Sequence, residues 1–174
     1  SLLPRVTGTA PLLSGQKEES GYGLYSYALL SHAPQESEMQ RYRAFLTALL
    51  ELPTAKDVER YVVKARINIT YLPMTSSSPE WNDLATAERV DYVLAHYDYA
   101  RGAAILASLP GSKVPGPLIT SVLKPISFDS SPHPVLVQDL SRAQPPLMAD
   151  YVKQFVDQAA QDHFWEAKTL AAFS

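Results

Sequence analysis

The chain has 174 residues, 46% of them hydrophobic and 19% charged, with a net charge of −3 and no cysteine; at this size about 70% of the unfolded surface is buried on folding, so one core suffices. Fifteen Lys and Arg against eighteen Asp and Glu leave no basic excess to hold a phosphate backbone, which excludes a nucleic-acid reader. The missing thiols exclude disulfide, zinc-thiolate and iron–sulfur chemistry, and apolar runs such as Ala103 to Ala107 fall far short of the roughly 20 residues that span a bilayer.

The chain opens Ser1-Leu2-Leu3-Pro4 without methionine. Together with cysteine avoidance, which suits an oxidising compartment, this start points to an exported bacterial protein. The expected setting is periplasmic or extracellular, with a signal or anchor upstream of residue 1. Residues 1–20 mix Gly8, Pro11 and Gly15 with the polar run Gln16-Lys17-Glu18-Glu19-Ser20 and read as a flexible leader or tether. A single globular domain is expected over 21–174.

Residues 22–31 read as a strand covered on both sides, with Tyr25, Tyr27 and Leu29 on one face and Leu24 and Leu30 on the other. Pro34 opens an amphipathic helix carried by Met39, Tyr42, Phe45, Leu46, Leu49 and Leu50, which Leu52-Pro53 ends. A short helix is expected over 54–64. In 65–72, Ile67, Ile69 and Tyr71 alternate with Arg66, Asn68 and Thr70, the pattern of a strand with one dry and one wetter face. Ser78-Pro79-Glu80 is a helix start with a hydroxyl cap, proline at the first position and an acid at the positive dipole end. The helical pattern then runs to Leu109, long enough that a break is expected near His96 to Asp98. Residues 117–126 and 134–140 read as a third and a fourth strand, and Pro145-Pro146 start a last amphipathic helix that continues toward Phe164-Trp165.

The order β-α-β-α-β-β-α predicts a compact α/β sandwich, with α+β as the alternative. Its mixed sheet of about four strands holds parallel pairs joined by crossovers and one antiparallel pair, packed by three or more helices.

No phosphate loop is present: Gly21-Tyr22-Gly23 precedes its strand, and Gly111-Ser112-Lys113 leads into one. The four histidines form no H-x-x-x-H or H-x-H pair, so neither a metal nor a cofactor is expected. His96 and Asp98 share a site only if the helix breaks between them. Otherwise Asp98 pairs with Arg101 on the helix surface. The sharpest catalytic pattern is a serine hydrolase in which Ser131, His133 and Asp139 converge around the loop SFDSSPHP, although no G-x-S-x-G elbow holds the serine.

Tyrosine is the unusual residue type. Ten are present, grouped as Tyr22, Tyr25 and Tyr27 in the first strand and Tyr92, Tyr97 and Tyr99 in the middle helical segment. These elements are expected to share a Tyr-rich region in which most tyrosines are core residues with a hydroxyl reaching the rim; Tyr25, Tyr27, Tyr97 and Tyr99, with Asp98 and Arg101, form a recognition surface only where they stay exposed. The sequence thus reads as a non-catalytic binding or interaction domain for a protein, peptide or glycan. The serine hydrolase is the alternative, and a structural subunit that forms homo-oligomers the second.

Overall fold

The computed structural model describes residues 5–110 and 114–161. One mixed sheet of five strands runs through the molecule: β1 (Val6–Leu13), β2 (Leu24–Leu29), β3 (Ile67–Met74), β4 (Leu118–Val122) and β5 (Leu136–Asp139). Across the sheet they lie in the order β1-β3-β2-β4-β5. β3 pairs in parallel with both β1 and β2, while β2 pairs antiparallel with β4 and β4 with β5.

Among the described residues, five α-helices cover this sheet from both sides. α1 (Met39–Leu50), α3 (Thr86–His96) and α5 (Met148–Ala159) pack on one face, where Phe45, Leu46, Val90, Val93, Val152 and Phe155 meet Leu24, Ala28, Leu72, Met74 and Ile119. α2 (Ala55–Val58) and α4 (Tyr99–Ser108) cover the other, where Ala55, Val58, Ile105 and Leu106 meet Tyr25, Tyr27, Leu29, Ile69 and Tyr71. The α/β class, the parallel crossovers and the antiparallel final strand pair agree with the order of periodicities. All six residues of β2 are buried, divided between the faces as the alternation in 22–31 requires.

Three expectations need correction. Residues 6–13 are not a tether: they form β1, the edge strand, in register from Val6 opposite Ile67 to Leu13 opposite Met74. Gly8 and Pro11 hide the strand period, yet both suit an edge, since Gly8 lets the α2 backbone approach and Pro11 sits where no ladder donor is needed. Second, β3 has no wet face; Asn68 and Thr70 are as buried as Ile67 and Ile69. Third, Ser78-Pro79-Glu80 does not begin the long helix. Ser78 Oγ accepts the Glu80 N–H at 3.2 Å, a 3-10 turn follows over Trp81–Asp83, and α3 begins at Thr86 with Glu88 accepting the Ala85 N–H at 2.9 Å. The break near His96 to Asp98 is present, with Tyr97 and Asp98 between α3 and α4. The extension toward Phe164-Trp165 lies outside the described residues.

β2 is the strand at which the chain changes direction across the sheet. The connection leaving it through α1 reaches β3 on one side, while the connection leaving β3 through α3 and α4 returns to β4 on the other side. Two glycines close on its carboxyl end. A Cβ on Gly116, whose φ is +85°, would stand 2.5 Å from the Leu29 carbonyl oxygen, and one on Gly102 would collide with the Leu30 carbonyl oxygen. Gly116 leads into Pro117 through a cis peptide bond.

Candidate functional site

The residues singled out around the loop SFDSSPHP do not converge. His133 is exposed, and its Nδ1 lies 2.7 Å from the Ser131 carbonyl oxygen. The Ser131 N–H donates to Asp129 at 3.0 Å, and the exposed Asp139 accepts the Ser141 N–H at 2.9 Å. No hydrogen bond among the described residues joins the side chains of Ser131, His133 and Asp139. Each serves the geometry of its own turn.

The tyrosine groups part company as well. Tyr25 and Tyr27 lie in the core beneath α2 and α4, with Tyr22 and Tyr71. Their hydroxyls fasten the segment ahead of β2: Tyr25 donates to the Glu19 carbonyl at 2.8 Å, Tyr71 accepts the Glu19 N–H at 3.1 Å, and Tyr27 donates to the Glu18 carboxylate. Tyr97 lies in the opposite core, where its hydroxyl donates to the Ala28 carbonyl at 2.7 Å and accepts the Leu30 N–H at 3.0 Å. Burial pushes the phenols of Tyr25, Tyr27, Tyr71 and Tyr97 above the ordinary range, with the neighbouring Glu18 adding to the effect at Tyr27. These hydroxyls stay neutral and act as fixed donors and acceptors. Tyr25, Tyr27 and Tyr97 are therefore internal braces and form no recognition surface. Tyr99 is half-buried and donates to the Leu94 carbonyl at 2.8 Å.

Asp98 and Arg101 do not form an ion pair. Asp98 caps α4 by accepting the Arg101 N–H at 3.0 Å, and it also accepts the Ser14 hydroxyl. The Arg101 guanidinium donates instead to the carbonyls of Leu13 at 2.9 Å and Gln16 at 2.8 Å. Both residues anchor the chain as it leaves β1. His96 stacks on Tyr92 with ring centroids 4.3 Å apart, and among the described residues no three His, Asp or Glu side chains form a cluster that could hold a metal ion.

Two features remain that sequence reasoning missed. The first is a cleft of about 620 Å³ that wraps the carboxyl half of β1. On the α2 side it is rimmed by Lys56, Asp57 and Glu19. On the side facing α3 its wall is apolar and aromatic, built from Leu50, Leu72, Met74, Trp81, Tyr92 and Val93, with the hydroxyls of Ser76, Ser77 and Ser78 at the mouth. Tyr92 is held by Ser76 Oγ at 2.9 Å and meets Trp81 edge to face, while Arg89 lies over the Trp81 ring at 5.2 Å and donates to the Trp81 carbonyl at 3.0 Å. Trp81 comes from a 3-10 turn and Leu50 from the end of a helix, so no periodicity marks the wall.

The second feature lies at the carboxyl end of β2, where Ser31, His32 and Glu38 follow one another in a hydrogen-bonded chain. Ser31 Oγ is 3.0 Å from His32 Nδ1, and His32 Nε2 is 3.0 and 3.1 Å from the two oxygens of Glu38. Tyr42 fixes the turn by donating to the His32 carbonyl at 3.1 Å. The six-residue offset between His32 and Glu38 crosses a strand-to-helix turn, where neither the strand nor the helix period applies.

No family model matches the chain, and neither a curated protein nor a solved structure matches it. Among the described residues no helix is long and apolar enough to cross a membrane.

Proposed function

We propose that this protein is a binding domain that takes a compact, largely apolar ligand in the cleft beside β1. The observation that carries the reading is the aromatic and aliphatic wall of Leu72, Met74, Trp81, Tyr92 and Val93 beneath a mouth of serine hydroxyls. Ligand sites combine those two chemistries at about 300–1,000 Å³. Location agrees, since the wall stands at the carboxyl ends of the parallel pair β1 and β3, where open α/β sheets gather their ligands.

The backbone of β1 argues against a peptide that would extend the sheet by β-addition. The outward N–H of Thr9 donates to the Pro53 carbonyl at 2.9 Å, Pro11 has none, and the N–H of Leu13 donates to Gln16 Oε1 at 3.2 Å. Along the carboxyl half of β1, the donors that an added strand would need are taken or missing. Recognition then falls to the side chains of the wall. The cysteine-free composition supports an extracytoplasmic setting for this domain.

Titration with 8-anilinonaphthalene-1-sulfonate tests the reading. Saturable binding at one site is expected, with amide shifts confined to β1, residues 72–82 and the Tyr92–Val93 turn of α3. Trp81→Ala is expected to weaken it about tenfold, or ~1.4 kcal/mol. Shifts that map away from the cleft, or affinity unchanged in Trp81→Ala, would overturn it.

A further inference from the structure

We propose that Ser31 is a nucleophile that accepts an acyl group from a neutral carboxylic ester, activated by the His32–Glu38 pair. The site is separate from the β1 cleft, whose lining includes none of the three residues.

The position is set by topology. Ser31 follows the carboxyl end of β2, where the connection leaving β2 runs to one side of the sheet order and the connection leaving its parallel neighbour β3 runs to the other, and such switch points are where α/β sheets place their chemistry. Opposite it stands the segment entering β4: Leu29 pairs with Leu118, so Pro115 and Gly116 lie against Leu30 and Ser31. The Ser31 N–H donates to the Pro115 carbonyl at 3.1 Å, and the Ser31 hydroxyl donates to the same oxygen at 2.9 Å, with His32 Nδ1 at 3.0 Å as the alternative acceptor for its one proton. Because the backbone bond already closes the two segments, the hydroxyl is not needed to hold the turn.

Proton placement follows from Glu38. Its carboxyl is held below the ordinary carboxylate range, first by the Gln35 N–H, against an opposing effect of burial, and then by His32. A charged Glu38 accepts from Nε2–H, so in the neutral imidazole Nδ1 carries no proton and can accept the Ser31 hydroxyl once that proton turns from the Pro115 carbonyl. Carboxylate, imidazole and hydroxyl thus stand in the order that nucleophilic hydrolases use, with the two ring nitrogens exchanged relative to the serine-protease arrangement. The flanking Ala33, Pro34, Val114 and Pro115 bring no charge, which suits a neutral ester.

The reaction balances without any added redox partner. Ser31 Oγ attacks the ester carbonyl carbon while its proton passes to His32 Nδ1. The bond to the leaving alcohol oxygen breaks, and that oxygen takes the proton from Nδ1. Water then attacks the acyl carbon, giving a proton to Nδ1, and the Oγ–acyl bond breaks as Ser31 regains it. Ester and water become acid and alcohol.

The test is acylation of the whole chain by p-nitrophenyl acetate, read as burst kinetics and by peptide mass analysis. One acetyl group per chain is expected on Ser31, lost in Ser31→Ala and formed at least about tenfold more slowly in Glu38→Gln, with near-ultraviolet circular dichroism reporting that both variants keep the fold. His133→Ala, from the other candidate loop, is expected to leave the burst intact. The proposal is overturned by an acetyl group located elsewhere, by a burst that survives in Ser31→Ala or is lost in His133→Ala, or by the absence of a burst from the folded wild type.

Discussion

Glu18 is a carboxylate with 5% of its surface exposed, reached by the Tyr27 hydroxyl and by the Ser127 N–H at 3.3 Å. Burial acts most strongly on it and pushes its pKa up. The hydrogen bonds from Ser127, Tyr27 and the Glu18 backbone together outweigh that effect, and the group ends below the usual value of 4.5. A carboxyl that titrates lower when folded than when unfolded stabilises the fold above its unfolded pKa, and it loses that contribution as pH falls through the folded one. Urea denaturation is therefore expected to show stability declining as the pH drops from about 5 through the ordinary carboxylate range and beyond. In Glu18→Gln the decline should be shallower, and at pH 7 that variant should be less stable by about 1–3 kcal/mol, the cost of weakening a buried charge-assisted pair. Equal acid sensitivity in the two proteins would contradict this. In the sequence Glu18 is one charge in a polar run, because nothing local announces the Tyr27 hydroxyl that meets it.

At the level of elements, a buried polar row crosses the sheet with one residue from each of four strands. Asn68 of β3 donates from Nδ2 to Thr7 Oγ1 of β1 at 3.1 Å and accepts the Ser26 hydroxyl of β2 at 2.6 Å, and Ser26 lies 2.7 Å from Ser121 of β4. Asn68→Ala removes the centre of this row and leaves Thr7 and Ser26 each short of a partner in a site without water access. A loss of about 1–3 kcal/mol is expected in urea denaturation. A change below about 0.5 kcal/mol, typical of surface positions, would show that the row contributes nothing. The row also explains what the alternation in 65–72 could and could not disclose. Period two separates Ile67, Ile69 and Tyr71 from Asn68 and Thr70 correctly, but polarity alone does not tell a solvated face from one whose polar groups satisfy each other. β2, the first amphipathic helix and its successor after Pro145 were legible because their apolar residues obey one period throughout. The chain of Ser31, His32 and Glu38 was not, because it is built across a turn where no period holds. The triad suggested around His133 had the right residue types and lacked only the tertiary approach, which composition does not report.

Across the whole molecule the first strand in sequence is joined to the third, with Thr7 opposite Asn68 and Leu13 opposite Met74. β1 thus covers an edge that β3 would otherwise leave open, and its own outer edge is blunted by Pro11 and by the bond from Thr9 to Pro53. β3 has no such protection: all eight of its residues are buried, and it carries only Pro73 to interrupt its donors. Removing residues 1–13 should expose a row of free backbone groups flanked by Ile67, Ile69, Tyr71 and Leu72, the kind of flat apolar edge that pairs with another copy. The truncated chain is accordingly expected to keep α/β circular dichroism yet to form dimers or larger species by light scattering at concentrations where the full chain keeps a single smaller mass. Restoring Pro11-like blunting with Ile69→Pro is no remedy, since β3 also pairs with β2 and needs its ladder there. A lysine at Thr70 would bury a charge in the core, so neither substitution can replace the missing strand. A truncated chain with the mass and urea midpoint of the full one would show that β1 is dispensable. It would also remove β1 as the floor of the proposed cleft, since Pro11, Leu12 and Leu13 line it.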